Sequence, residues 1–473
     1  MGWNVGRPAR VPGPGRAVAL VLVGLLALGG AGTPTLPAAA AAVGPNASAA
    51  VDGPVAGTST GASTGTSTGT ASRPRAGHAK RPVVFVGNNW DGTADLIAPG
   101  SFKRLGRLDI VPDYDARMQE IATNPYRLAY FLLIREAIGE GHDQFVDDMY
   151  SSTDGRLVVV SRPSFADVVA ISLRTRKIVW RFRVAGVRSD HMAVSPDGTR
   201  VVVSASTGNV VHVLRIRDGK ELGRFSSGGS PHESIFIDGG KRILHASIGT
   251  VYSPFDRDGV PDPLEGERVL QIVNARTFEI ERRYHLRKAL DARGLTKVSI
   301  AVRPMTLSPD EEKLYVQLSF FHGFVELDRR TGEITHVQRL PNLVKDVPRE
   351  QYVLDSAMHG IAMNPEGTRI CVAGTMSDYL TIVKVRTWRH TRLLRGGLKP
   401  YWVTPSADGK YCYVSWAGSD RISRVSYRTA RIVTSRQVGD HPQRIRNGFI
   451  RRAYVAGLGT AAPTHPIGAT PQP

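Results

Sequence analysis

From residue 82 onward the chain repeats one pattern of apolar and polar positions. A short apolar segment leads into a turn built of Ser, Pro, Asp and Gly. A β-branched or aromatic run follows, then a polar loop and two further short runs. The turns end at Gly155, Gly198, Gly240, Glu311, Gly367, Gly409 and Gly448, spaced 43, 42, 71, 56, 42 and 39 residues apart. Pro at the second turn position presets φ, while Asp-Gly supplies a side-chain acceptor and a permissive backbone. The runs after the turns are LVVVS (157–161), VVVSA (201–205), ILHAS (243–247), LYVQL (314–318), ICVAG (370–374) and YCYVS (411–415). Runs this short and this continuously apolar read as strands buried on both faces. About four strands on a period near 40 residues predict an all-β fold, a β-propeller.

Six complete units start near residues 145, 190, 231, 304, 359 and 400. VVFVGN (83–88) with ADLIAP (94–99) lacks a first strand, and HPQRIRNG (441–448) is a first strand without partners. Joined, they predict a seventh blade built from both ends of the array, which removes the free sheet edges. RRAYVAG (451–457) is left over as a surplus strand. Residues 112–141 form an insertion that reads as helical. Asn124-Pro125 is a helix start, Leu128, Phe131, Leu132 and Ile138 fall on one face, and Gly139 is a stop. Two more insertions, about 251–268 with 286–303 and about 341–356, account for the long spacings.

Ahead of the repeats, Arg7, Arg10 and Arg16 precede an apolar stretch at 17–31 and an alanine run at 38–42. That is the layout of an export signal cleaved after Ala42. Residues 43–80 are rich in Gly, Ser, Thr, Ala and Pro, a composition that buries too little apolar surface to offset its ordering entropy. The expected layout is therefore a signal peptide at 1–42, a disordered linker at 43–80, a propeller at 82–457 and a flexible tail at 458–473. The expected location is outside the cell or in its envelope, as a monomer with no stable membrane span after processing.

Composition narrows the classes. Hydrophobic residues at 41% and charged residues at 22% exclude a polytopic membrane protein. The net charge of +19 becomes +16 once the three signal arginines are lost. Such a surplus suits an anionic wall polymer or nucleic acid as partner, and equally suits a solvated secreted surface. Two cysteines exclude a disulfide-dense scaffold. Cys371 and Cys412 lie on second strands of adjacent blades but differ by one position from their turns. That offset points them to opposite faces, so buried apolar thiols are the first expectation, with a disulfide, which an exported protein permits, as the alternative.

The lead-ins to the first strands carry the chemistry. Counting back from each turn places Asp148, His191, His232, Arg303, His359, Tyr401 and His441 beside the central channel. First strands line that channel, so these side chains converge although they are far apart in sequence. Imidazole with carboxylate suits a transition metal such as copper, zinc or iron, held by His191, His232, His359, His441 and Asp148. Asp190 and Asp440 are placed to accept from ring N–H groups. The alternative occupant is a small acidic ligand or a protein partner, met by Arg303, Lys399 and Tyr401, with Trp90 and His322 from the loops of the same face. The same histidine positions also serve as hydrogen-bonding posts between blades. A weaker signal is a calcium-like loop, with Asp256, Asp258, Asp262 and Glu265 at the third, fifth, ninth and twelfth places but Pro254 at the first.

Ser195-Pro196-Asp197-Gly198-Thr199-Arg200-Val201-Val202-Val203-Ser204 and Ala453-Tyr454-Val455-Ala456-Gly457 resemble the repeats of YVTN-type β-propellers. The propeller of nitrous-oxide reductase and the lactonase-type propellers are similar. The stretches 87–92, 141–149 and 441–444 resemble exported YncE-like proteins of actinobacteria. The resemblance covers residues 82–457 and implies a seven-bladed propeller. From the nitrous-oxide reductase side it implies a metal on axial histidines, with His191, His232, His359 and His441 at that general placement. That enzyme's second, cupredoxin domain is absent, which argues against the same reaction. The lactonase side implies a metal-free hydrolase with His191 or His359 as acid/base. The sequence thus leads to a propeller that binds a ligand or partner at a histidine-rich axial face. A metal-dependent oxidoreductase, a lactonase-like hydrolase and a basic polymer-binding protein are the alternatives.

Overall fold

The computed structural model describes residues 79–249, 266–352 and 356–459. The signal segment, nearly all of the linker, the calcium-like loop and the tail beyond Gly459 lie outside them. Among the described residues the strands form seven four-stranded antiparallel sheets, the seven-bladed all-β propeller expected. Blades two to seven each use four consecutive strands. Blade one runs Pro442–Arg451, Lys80–Asn88, Thr93–Ile97, Arg104–Asp109. Val83 faces Gly448, Val84 faces Asn447 and Asn88 faces Pro442. The two ends of the array therefore share one sheet, which closes the ring of blades.

Burial follows from blades stacking face to face. The second strands Leu157–Arg162, Arg200–Ala205 and Arg369–Gly374 are buried almost throughout, because both of their faces meet a neighbouring blade. The outermost strands alternate instead, as in Glu221–Ser226. Ser195 to Gly198 shows what the recurrent turn does. Gly198 N donates to Ser195 O at 2.8 Å, and Thr199 N donates to Asp197 Oδ1 at 3.0 Å. Gly198 has φ +66°, and a Cβ there would fall 2.1 Å from Thr153 Cγ2 on the turn of blade two. Gly240 meets Pro196 in the same manner. The signature that reads as a turn is thus also the contact that locks successive blades.

The insertion at 112–141 holds two helices, α1 (Tyr114–Ala122) and α2 (Pro125–Ala137). Asn124 caps α2 by accepting from Arg127 N at 3.1 Å, with Pro125 in the first turn. Phe131 is buried, and Leu128 and Leu132 pack against the same core, which spans blades one and two. A third helix, α3 (Leu286–Asp291), buries Leu286 and Leu290 beside blades four and five. No helix among the described residues is long and apolar enough to cross a membrane.

Two expectations are corrected. Residues 451–457 are not a strand. Arg451 ends the first strand of blade one, and Arg452–Val455 form a short helix, α4. Tyr454, Val455 and Leu458 pack on the core at a helical spacing, and Arg107 N donates to Gly459 O at 2.7 Å on the outer edge of blade one. Cys371 and Cys412 are not free thiols but a disulfide, with Cα atoms 6.5 Å apart. The one-position offset is what lets them meet. In a propeller the lower face of one blade packs on the upper face of the next, so side chains on opposite faces of adjacent sheets point at each other.

Candidate metal and ligand site

Each first strand departs from regular pairing where it begins. In blade three Ser189 faces Ala205 and Met192 faces Val203, so Asp190 and His191 together oppose Ser204. The same two-against-one bulge holds His232-Glu233 in blade four, Arg303-Pro304 in blade five, Tyr401-Trp402 in blade seven and Gln443-Arg444 in blade one. In blades two and six the ladder starts only at Met149 and Ile361, leaving Asp147-Asp148 and His359-Gly360 at the equivalent place. A regular strand would send one of each pair away from the axis. The bulge keeps both buried here. The freed backbone groups are stitched by the preceding blade. Ser204 Oγ donates to His232 O at 2.8 Å, Ser415 Oγ donates to Gln443 O at 2.8 Å, and Gln317 holds Gly360 at 2.9 and 3.1 Å.

Three of the expected histidines come together. The rings of His191 and His232 have centroids 3.9 Å apart, and His359 lies 6.3 and 6.1 Å from them. Tyr401 stacks on His359 at 4.0 Å. Carboxylates interleave with the rings. Glu233 Oε2 is 3.3 Å from His191 Nδ1, while Asp190 Oδ1 and Asp147 Oδ2 are 3.5 and 4.0 Å from His191 Nε2. Two sets bring all their ligand atoms within 4.8 Å of one another: His191, His232 and Glu233, and Asp147, Asp190 and His191.

Arginines set the electrostatics. Arg444 is fully buried, contacts His191 Nε2, lies 3.6 Å from Asp147 and stacks 3.9 Å over the Trp402 ring. Arg303 Nε donates to Ser319 Oγ at 2.8 Å. Burial holds His191, His232 and His359 well below the ordinary histidine range, and the nearby guanidinium of Arg444 or Arg303 pushes the same way. Burial also raises Asp147 to about 7 and Glu233 to about 8, against the opposing pull of Arg444. The imidazoles are therefore neutral at neutral pH and Glu233 carries a proton. His232 Nδ1, Asp147 Oδ2, and Arg444 Nε and Nη1 are buried without a hydrogen-bond partner. Orphaned groups of this kind are costly unless something fills their valences.

The other singled-out residues are placed as follows. His441 stands off from the three histidines, its ring stacked on Trp90 at 3.8 Å and 6.3 Å from Tyr401. Trp90 lies between His441 and His142, the latter also at 3.8 Å. Asp148 is committed elsewhere, since Arg446 grips it with Nε and Nη2 at 2.9 and 2.7 Å while Met149 N and Met192 N donate to it. Lys399 pairs with Glu140 from the helical insertion. His322 lies outside the cluster and meets Tyr352 Oη at 3.0 Å. Glu233 and Asp147 were missed because one residue per blade was counted. Arg444 was missed because the expected turn at Gly448 is not a turn: that residue pairs with Val83 inside the strand Pro442–Arg451, so counting back from it reached His441 and not the Gln443-Arg444 bulge. The legible signal was the polar dyad at four of the lead-ins, Asp147-Asp148, Asp190-His191, His232-Glu233 and Gln443-Arg444, of which the last three become two interior residues through a bulge.

The opposite, turn-bearing end of the first strands holds a cavity of about 270 Å³. Pro196 and Pro405 lie along it, and it reaches Glu233, Trp402 and Arg446. Glu233 is thus shared between the cavity and the histidine cluster. Among solved structures the chain is similar to Kuenenia stuttgartiensis hydrazine synthase, with a TM-score of 0.48 and 17% identity over 63% of this chain and 88% of that one. At that score the likeness says nothing of the site. No protein-family profile and no curated protein matches the chain.

Proposed function

We propose that the protein is an exported β-propeller that binds a divalent transition metal at its axial histidines, on His191, His232 and Glu233. One observation carries the reading: two imidazoles and a carboxyl group from adjacent blades, all buried, with ligand atoms within 4.8 Å of one another. Ligands about 2.0–2.2 Å from a tetrahedral ion stand about 3.3–3.6 Å apart. The 3.3 Å between His191 Nδ1 and Glu233 Oε2 fits such an edge. His232 Nδ1, which has no protein partner, supplies a donor. The second set is the weaker one, because Arg444 already contacts His191 Nε2 beside Asp147. A metal there faces a fixed positive charge. His359, Tyr401 and Arg303 flank the site and suit contact with a small ligand. Export is supported by the arrangement of residues 1–42 and by the disulfide, which persists in oxidising compartments. The YVTN-type, YncE-like assignment is the finer family reading.

The test is elemental analysis of untagged protein together with calorimetric titration of Zn²⁺ and Cu²⁺. The wild type should take up one equivalent. The pair His232→Ala with Glu233→Gln should lose it while the circular-dichroism melt stays cooperative. Stoichiometric metal retained by that pair would overturn the assignment.

A further inference from the structure

The cavity at the turn-bearing end has chemistry of its own. Apolar side chains of Val194, Ile235, Phe236, Met305, Ile361 and Val403 line it, interspersed with polar groups that include Ser234, Thr306 and Thr404. One cation faces it. Arg446 is held edge-on by Asp148, through Nε and Nη2 at 2.9 and 2.7 Å. Its guanidinium lies 4.9 Å from the ring centroids of both Tyr150 and Trp402. These contacts fix the plane of the group, and 16% of the side chain stays accessible. No acceptor among the described residues meets Nη1.

We propose that this cavity binds a small monocarboxylate with an apolar body, its carboxylate on the free edge of Arg446 and its hydrocarbon along the first strands. A prepositioned guanidinium recognises a carboxylate by directed hydrogen bonds with little entropy left to lose. The single cation selects one negative charge, and the apolar side chains reject compact, strongly hydrated anions. About 270 Å³ falls just below the roughly 300 Å³ at which pockets for drug-sized ligands begin, so the ligand is small. This site goes beyond the metal reading and does not depend on it.

The test is calorimetric titration of chelator-treated protein at pH 7 with hexanoate, hexylamine, 1-hexanol and inorganic phosphate. Only hexanoate should give saturable binding. Arg446→Gln combined with Asp148→Asn removes the cation and its buried partner together. It should weaken hexanoate by about tenfold or more, the worth of a charged hydrogen bond. Val194→Phe narrows the cavity without touching that pair and should weaken hexanoate comparably. The proposal is overturned if hexylamine, hexanol or phosphate matches hexanoate, if hexanoate gives no saturable binding at millimolar concentration, or if a folded Val194→Phe variant binds as the wild type does. Because no metal is present, each result stands apart from the metal titration.

Discussion

At the scale of single residues, the axial cluster shows how burial, reinforced at the imidazoles by Arg444 and Arg303, inverts ordinary ionisation. His191, His232 and His359 have lost the capacity to charge near neutrality, and Glu233 has gained a proton it would hold nowhere on the surface. Histidine ligands on their own would place the competition between protons and metal in the histidine range. The structure moves that competition to the carboxyl. A metal on His191, His232 and Glu233 displaces the Glu233 proton and needs none removed in net from the imidazoles. Zn²⁺ affinity should therefore rise about tenfold per pH unit up to about 8 and level off above it. Titrations at several pH values check this. Levelling near the ordinary histidine pKa instead would show that imidazole protonation governs binding. Glu233→Gln should flatten the slope as well as weaken binding.

Among elements, two contacts link parts of the chain that the repeat alone does not. The Cys371–Cys412 bridge joins blades six and seven across a separation of 41 residues. Closing a loop of that length in the unfolded chain is worth about 4 kcal/mol on the loop-entropy scale. Replacing both cysteines by alanine should lower the unfolding free energy by up to about that amount in denaturant titrations, with no change in oligomeric state. The helical insertion is fastened differently. Glu120 on α1 accepts from Arg181 Nη1 and Nη2 of blade two at 3.0 and 2.9 Å. Burial favours its neutral form, yet the hydrogen bonds from Arg181 and Arg117 outweigh it and bring Glu120 down to about 2. A depressed carboxylate contributes stability above its ordinary pKa and loses it as pH falls through the folded value. Hydrogen exchange should show α1 and α2 loosening between about pH 4 and 2 before the blades do. Glu120→Gln should produce the same loosening already at neutral pH.

For the whole molecule, the seam in blade one decides whether there is a ring. Pro442–Arg451 pairs along most of Lys80–Asn88, and Gly155 of blade two sits against the backbone at Ile450 and Arg451. Ending the chain after Asp440 would leave the strand at residue 80 as an unpaired edge and expose Val84, Val86 and Ile97 from the core. That variant should lose its single cooperative melt and associate in size-exclusion chromatography. A peptide spanning residues 441–459 should restore the elution profile of the full chain. A truncated protein that keeps the elution volume and the melt of the full chain would show the seam to be dispensable.

The local sequence determined what depends on near neighbours. Pro, Asp and Gly fixed the turns, continuous β-branched runs fixed the buried second strands, and Asn124-Pro125 fixed the start of α2. The missing first strand at one end and the spare one at the other fixed the closure. Tertiary structure decided what depends on which faces meet. Cys371 and Cys412 pair because adjacent blades present opposite faces to each other. Asp148 is drawn off by Arg446, and His441 by Trp90, from elements whose approach no local pattern specifies. The cluster itself was legible only in part. His191, His232 and His359 follow from counting back from the turns, but Glu233 and Arg444 face the interior because a bulge places two residues where a regular strand has one, and Asp147 because it precedes the start of its ladder at Met149. A bulge is set by pairing across the sheet and by hydrogen bonds from the preceding blade, so it becomes visible only when the strands are side by side.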